Sequence, residues 1–309
     1  MKTLIKTAGA ASLLAMAVGS ASVSAGVLPY LTFSQNAGWS DQNEQFFGVP
    51  TGLSGLVFAN PTGAAAPANT FADMSWSSTV NGNTSSINLT SFNSSNSPTV
   101  GPDANNLWEQ GEFWIIDQLL QTNNVLSVTG GIPNPLWIAD TLANLYIYDD
   151  QGIGTNTALI ADLNSATTIE FWETLNEDAD DCNSPNPLNT GCDDVYRIAA
   201  IELAPITFNY SGFKYTIDFG LLPGPSTPGN TTSLVCTSSS DPGCAGVNVT
   251  AGQIWVFTPE SSPGTSSLYV TMGWSARAIP NKVPEPSVLA LLGFGVLGAA
   301  FATRRRKQS

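Results

Sequence analysis

Several stretches of the chain alternate apolar and polar residues with a period of two, which predicts β-strands with one buried face. The clearest stretch is FKYTIDF, which places its four large apolar residues, from Phe213 to Phe219, on one side. It follows ITFNY across Ser211-Gly212, a pair typical of a tight hairpin turn. About ten such stretches occur, separated by Gly, Pro, Asn, Asp and Ser.

This pattern predicts an all-β protein, an antiparallel β-sandwich formed by one domain over residues 26–280. Helical periodicity is weak between the two ends of the chain. Only NLWEQGEFWIIDQLLQ competes, and its EFWIIDQLL portion fits a long strand equally well. Residues 76–106 are dominated by Ser, Thr, Asn, Gly and Pro, which predicts loops around one strand at SINLTSF.

The N-terminus has the parts of a secretory signal peptide. Lys2 and Lys6 precede an uncharged apolar run, and Val23-Ser24-Ala25 then offers a cleavage site for signal peptidase. We therefore expect residues 1–25 to be removed between Ala25 and Gly26. The alternative, an N-terminal anchor helix, fits less well because the run is short and rich in small residues.

The C-terminal residues 281–309 combine three parts: a short proline motif, an apolar segment and a basic cluster. The apolar segment, 287–303, would span about 25 Å as a helix, slightly less than the hydrocarbon core of a bilayer. The sequence therefore predicts a single C-terminal transmembrane helix whose basic end stays in the cytoplasm. The motif residues are Pro284, Glu285 and Pro286, and the basic residues are Arg304, Arg305, Arg306 and Lys307.

This tail resembles the PEP-CTERM sorting signal of exported Gram-negative bacterial proteins. The resemblance implies recognition by an exosortase, a membrane-embedded cysteine protease-transpeptidase that cuts near the motif. It also implies a transient membrane anchor, followed by release or attachment at the cell surface or outside the cell. Proteins with this signal accompany exopolysaccharide production and biofilm matrices. The alternative is a permanent C-terminal anchor.

The body is similar to the THxN family of PEP-CTERM proteins from about residue 50 to 279. The matching landmarks are SGLVF, MSWSS, VTGGIPNPL, ETLNEDADDC with GCDDVYRI, and FNYSGFKYTIDF. The name-giving motif is altered, because Thr129 is followed by Gly130-Gly131 and the chain contains no histidine. Any role of that histidine is therefore not carried over.

The chain is acidic, with 24 Asp and Glu against 10 Lys and Arg and a formal net charge of −14. Residues 26–283 hold only four of the basic residues but 23 of the acidic ones, so the body is more acidic than the whole chain. Such a surface repels phosphate backbones and anionic lipids, which argues against nucleic-acid binding and against membrane contact other than through the tail.

All four cysteines lie in the exported part, where an even number favours two disulfides. Three pairings are possible. We favour Cys182–Cys192 and Cys236–Cys244, because each pair brackets a loop rich in turn-forming residues. Without CxxC spacing or histidine, a zinc site is not expected.

The sequence contains few candidate catalytic residues. The absence of histidine excludes Ser-His-Asp and Cys-His nucleophile systems, and no phosphate-binding glycine loop is present. A carboxylate-only hydrolase would rest on Glu170 and Glu173 in IEFWETLN. Residues three apart on a strand point to opposite faces, which argues against a shared site. We therefore expect a protein without enzymatic activity.

The acidic segment NEDADDCNSPNPLNTGCDDVYR is the best candidate for a cation site. A Cys182–Cys192 bridge would bring Asp181 near Asp193, and Ca²⁺ accepts irregular sites of this kind. The EF-hand pattern does not fit, and a hydrated acidic loop without a bound ion is the alternative. The tentative calcium ligands are Asp178, Asp180, Asp181, Asp193 and Asp194.

The chain has eight tryptophans, and exposed aromatic rings can stack on sugars. Trp274 fits a buried strand face, whereas Trp172 alternates with Phe171 and is expected to face outward. Together these features predict a non-enzymatic surface or matrix protein processed by signal peptidase and an exosortase. The alternatives are a module that binds exopolysaccharide and, second, the carboxylate-only extracellular hydrolase.

Overall fold

The structure is a computed structural model that describes residues 30–64, 66–95, 108–149, 158–174, 185–189, 192–224, 230–259 and 264–279. The predicted signal peptide and sorting tail lie outside these residues. Every described strand falls within one unit of the chain, Val27–Ala278. No helix among the described residues is long and apolar enough to cross a membrane.

The described residues are almost entirely strand, which confirms the all-β prediction. Two short 3₁₀ helices, Val49–Thr51 and Ala200–Leu203, interrupt the strands. The strands are β1 (Tyr30–Ser40), β2 (Gln45–Phe46), β3 (Val57–Pro61), β4 (Thr70–Ser77), β5 (Thr84–Ser91), β6 (Trp108–Glu109), β7 (Phe113–Asn123), β8 (Trp137–Asp149), β9 (Ala158–Trp172), β10 (Asp194–Ala199), β11 (Ile206–Tyr210), β12 (Phe213–Pro223), β13 (Asn230–Thr232), β14 (Leu234–Cys236), β15 (Gln253–Thr258) and β16 (Gly264–Ala278).

These strands form one continuous sheet in the order β11-β12-β16-β7-β5-β4-β1-β8-β9-β10-β15-β14, and the four shorter strands pair beside it. The main ladders are antiparallel, and β13 pairs parallel to β16. The competing segment around FWIIDQLL is strand β7, and SINLTSF overlaps β5, which begins two residues earlier. Residues 96–107, the later part of the predicted loop region, lie outside the described residues.

The hairpin predicted at Ser211-Gly212 is confirmed. Tyr210 and Phe213 face each other in the ladder of β11 and β12, so the loop has two residues. Ser211 and Gly212 both have positive φ, 48° and 81°. This is the backbone that a tight hairpin turn requires, because its twist matches that of the strands.

The sheet curls so that its two ends face each other across a core. Leu268 of β16 packs in one cluster with Ile169 of β9 and Ile198 of β10, although these strands are at least six places apart in the sheet. The strand twist accumulates over so many neighbours that a single sheet can enclose its own core. The two separate sheets expected for a sandwich are therefore replaced by one curled sheet.

Residues 230–236 join the two sides of the curl. β13 pairs with β16, and only one residue later β14 pairs with β15. Because β16 and β15 belong to opposite parts of the sheet order, this segment links them through backbone hydrogen bonds. Backbone pairing thus connects the two walls of the interior, and polar groups on one wall can reach groups on the other.

Candidate functional site

The structure pairs Cys236 with Cys244, one of the two predicted disulfides, across a sequence separation of 8. This bridge packs in a small core with Val195, Trp255 and Phe257. Cys192 is also disulfide-bonded. Cys182, its predicted partner, lies outside the described residues.

Of the tentative calcium ligands, Asp193 and Asp194 are described and both are fully buried. Asp193 Oδ2 accepts a hydrogen bond from the backbone N–H of Leu188 at 2.7 Å. No group of three or more acidic, Cys or His residues in the described ranges is arranged to hold a metal ion. Because Asp178, Asp180 and Asp181 lie outside those ranges, calcium binding stays a prediction.

The Asp194 carboxylate is the centre of a hydrogen-bond network that crosses the core. Its Oδ2 accepts from the amide groups of Asn123 at 2.7 Å and Gln121 at 3.3 Å, and its Oδ1 accepts from the backbone N–H of Thr174 at 3.0 Å. Asn123 and Gln121 lie on β7, six places from β10 in the sheet. The network therefore connects β7 and β10, which lie on opposite walls of the curled sheet.

Burial raises the pKa of Asp194 from 3.8 to about 7, against the lowering effect of its hydrogen bonds from Thr174 and Gln121. The neighbouring charge of Asp193 raises it further. Burial also raises the pKa of Tyr196 well above 10.0, and the charges of Asp194 and Glu173 add to this. A charged group is therefore destabilised at this end of the core, because the free energy lost by desolvation exceeds the stabilisation from the hydrogen-bond donors.

The two candidate hydrolase carboxylates do not form a site. Glu173 is buried and accepts a hydrogen bond from the indole N–H of Trp76 at 3.1 Å. Glu170 lies on the other face of β9, opposite Arg197 of β10 in the ladder. The alternation of side chains along the strand separates the two carboxylates, as the sequence predicts.

The tryptophans are mostly core residues. Six have less than 2% of their surface exposed and Trp255 has 6%, so Trp172 is the one that remains partly accessible. The Arg197 guanidinium lies 3.3 Å from the Trp172 ring centroid and 3.9 Å from that of Trp255. One face of Trp172 is therefore covered by a cation rather than open to a sugar. The six are Trp39, Trp76, Trp108, Trp114, Trp137 and Trp274.

The interior of the curl contains a cavity with about 810 Å³ of space between protein atoms when the part open to solvent is counted. Its walls come from β1, from β5, from β7 to β12 and from β16, together with the 3₁₀ helix Ala200–Leu203. A smaller cavity of about 350 Å³ adjoins it, because Leu119, Ile169, Ile198 and Leu268 line both.

Two buried polar residues, Asp117 of β7 and Gln35 of β1, lie in the wall of the larger cavity. Asp117 accepts hydrogen bonds from Ser91 Oγ at 2.7 Å and from Gln35 Nε2 at 3.0 Å. Burial raises the pKa of Asp117 from 3.8 to about 6, and these two hydrogen bonds oppose the shift. Gln35 Oε1 is buried and has no hydrogen-bond partner among the described residues.

Gln35 and Asp117 are not among the site residues predicted from the sequence, although the period-two pattern contains a signal for both. In β1 the inward positions alternate from Leu31 to Trp39, and Gln35 is the polar residue among them. In β7 the same face carries Asp117 and then Gln121. A polar residue on the apolar face of a strand indicates a buried polar group, which needs a partner or a ligand.

Residues 282–307 match the family model of the PEP-CTERM protein-sorting motif. The match covers the proline motif, the apolar segment and the basic cluster, and it supports an exported protein that is the substrate of an exosortase. It also implies membrane-associated sorting toward the cell surface. No curated protein and no solved structure matches the chain, so the resemblance of the body to the THxN family stays a prediction.

Proposed function

We propose that the chain is an exported, non-enzymatic protein that an exosortase processes and that then acts at the cell surface or in the extracellular matrix. The observation that carries this proposal is the sorting motif at residues 282–307. The motif places Pro284 and Pro286 just before the apolar segment. Because proline disfavours a helix, we expect the stretch to be extended and accessible to a processing enzyme.

The proposal is tested by the intact mass and the C-terminal peptides of the protein isolated from its native cell surface and medium. We expect a chain that starts at Gly26 and ends near residues 283–286. The double variant Pro284→Ala/Pro286→Ala should remain uncut in the membrane fraction, whereas Pro280→Ala should be processed normally. Native protein that retains Arg304–Arg306 would contradict sorting and make the tail a permanent anchor.

The absence of enzymatic activity is supported by the positions of the carboxylates. Glu170 and Glu173 occupy opposite faces, and Glu173 is held in the core by Trp76. We expect no reducing sugar to be released from matrix polysaccharide by the purified protein. Release that Glu173→Gln abolishes and Glu170→Gln leaves unchanged would instead show a hydrolase centred on Glu173.

Polysaccharide binding has less support as a second function, because it depends on exposed aromatic rings. Trp172 is the partly accessible tryptophan, and Arg197 already stacks on it. We expect the protein not to be retained on its native exopolysaccharide. Retention that Trp172→Ala removes would restore the polysaccharide-binding alternative.

A further inference from the structure

The interior cavity has walls that are chiefly aliphatic. Side chains from both sides of the curl contribute, so the space lies between walls rather than on an outer face of the sheet. A space of this kind favours an apolar guest, because each aliphatic group removed from water is stabilising. The main apolar lining residues are Leu89, Leu119, Ile169, Ile206, Phe219 and Leu221.

The wall also contains a hydrogen-bond acceptor that the protein leaves unused. Gln35 is 6% exposed, its Nε2 donates to Asp117 and its Oε1 accepts nothing. An amide oxygen that is buried without a donor costs about 1–3 kcal/mol. The Oε1 atom has almost no exposed surface, so a guest reaches it once the Gln35 side chain shifts toward the cavity. A guest that then donates one hydrogen bond to Oε1 would remove this cost.

The charges at the cavity exclude anionic guests. Asp117 lies in the wall and Glu202 lines the same space, and no basic residue is among its lining residues. An anion would therefore meet carboxylates without a counter-charge. A cation would be drawn to the carboxylates but would lose its hydration among aliphatic side chains.

We propose that this cavity binds an uncharged amphipathic small molecule, an aliphatic chain or ring that carries one hydroxyl group, and that the hydroxyl donates to Gln35 Oε1. The aliphatic part packs between Leu119 of β7 and Ile169 of β9. This binding activity goes beyond export and sorting and does not depend on how the tail is processed.

The first test measures binding of the uncharged fluorescent probe N-phenyl-1-naphthylamine to the purified mature protein. Ala143 lines the cavity from β8, and a phenyl ring in its place would fill the space. We expect Ala143→Phe to weaken binding at least about tenfold, a loss of about 1.4 kcal/mol. Ala166→Phe is the matched control, because Ala166 is exposed on β9 and does not line the cavity.

Thr167→Phe is a second blocking variant, since Thr167 lines the cavity from β9 and is only partly buried. It serves if Ala143→Phe fails to fold, as judged by near-UV circular dichroism. Absence of probe binding to the wild type overturns the proposal. Equal binding by the wild type and by a folded blocking variant also overturns it.

The second test compares two displacing compounds of similar size that differ in their ability to donate a hydrogen bond. 1-Octanol has one hydroxyl donor, whereas heptyl methyl ether has the same number of heavy atoms and none. We expect 1-octanol to displace the probe at about a fivefold or more lower concentration than the ether, because only the alcohol satisfies Gln35 Oε1.

Gln35→Met keeps the length of the side chain and removes the acceptor. We expect this variant to bind the alcohol and the ether with the same affinity. Equal displacement by the two compounds in the wild type overturns the assignment of the hydroxyl to Gln35. A preference for the alcohol that survives in Gln35→Met overturns it as well.

Discussion

Asp117 and Asp194 are both buried carboxylates inside the same curled sheet, yet their hydrogen-bond partners differ in rigidity. Asp194 accepts hydrogen bonds from the amides of Gln121 and Asn123, and the oxygen of each amide accepts a second hydrogen bond from a serine. Gln121 Oε1 accepts from Ser266 and Asn123 Oδ1 accepts from Ser85. Neither amide can rotate without losing its second hydrogen bond.

Asp117 has a partner, Gln35, whose amide oxygen makes no hydrogen bond within the part of the chain that the structure describes. The Gln35 amide that donates to it has no group bound to its Oε1, and the adjoining space is a cavity. Its amide can therefore rotate by half a turn and present the oxygen instead of the nitrogen. The comparison shows that equal burial of the same residue type does not imply equal rigidity, because the outer hydrogen bonds of the partners decide it.

The largest effect should come from the packed end of the core near Asp194. Trp137 has no exposed surface and contacts the rings of Trp39, Trp76 and Phe171. Trp137→Ala should lower the free energy of unfolding by about 3–5 kcal/mol, because it leaves a large void among rigid rings. Urea unfolding measures the change.

Leu159→Ala is the control for Trp137→Ala. Leu159 is 52% exposed at the start of β9, so its truncation should cost less than about 1 kcal/mol. Equal losses for the two variants would contradict the assignment of Trp137 to a tightly packed region.

The next effect is the dependence of stability on pH. Burial raises the pKa of Asp117 to about 6 and that of Asp194 to about 7, both from 3.8. Between about pH 4 and 7 the folded state therefore binds more protons than the unfolded state. Stability then falls as pH rises through this window, and these two acids impose no such loss below pH 3.8.

We expect the free energy of unfolding in urea to decrease by on the order of 4 kcal/mol from pH 5 to pH 8, with the larger part from Asp194. The general negative charge of the chain acts in the same direction, so variants are needed to assign the effect. Asp117→Asn should remove the part of the decrease centred near pH 6 and leave the part near pH 7. A stability that increases from pH 5 to pH 8 would contradict both raised pKa values.

The sequence predicts the strands better than it predicts these partnerships. Alternation in FKYTIDF locates β12, and Ser211-Gly212 locates its turn, since both signals are local. The link from Asn123 to Asp194 joins residues 71 apart in the chain. It depends on the long-range curl of the sheet, which no local pattern reports.

The calcium prediction illustrates the same limit. The sequence places Asp193 and Asp194 in an acidic segment that looks solvated, but the structure buries both at the start of β10. Asp194 points to the core because it lies on the inward face of β10. The period-two pattern of this strand is too short to reveal that orientation from the sequence. Its donors come from β7, a strand distant in sequence, so its burial could not be derived from the segment alone.

Asp194→Asn tests the rigid partnership. Whichever way the new amide points, its NH₂ faces either the fixed donors of Gln121 and Asn123 or the backbone N–H of Thr174. We therefore expect a loss of about 1–3 kcal/mol in the free energy of unfolding at pH 7. Asp162→Asn, at an exposed position of β9, should change it by less than about 0.5 kcal/mol. A neutral Asp194→Asn would show that the donors can rearrange.

The smallest effect is expected from the same substitution at Asp117. In Asp117→Asn the new NH₂ can donate to Gln35 Oε1 after the Gln35 amide has rotated, while the new oxygen keeps the hydrogen bond from Ser91. No buried charge remains and the unused acceptor gains a partner, so the free energy of unfolding at pH 8 should stay within about 1 kcal/mol of the wild type or increase. The double variant Asp117→Asn/Gln35→Met removes the rotating amide and should be less stable than Asp117→Asn alone. If Asp117→Asn is as destabilising as Asp194→Asn, the Gln35 amide is fixed, and the difference between the two carboxylates disappears.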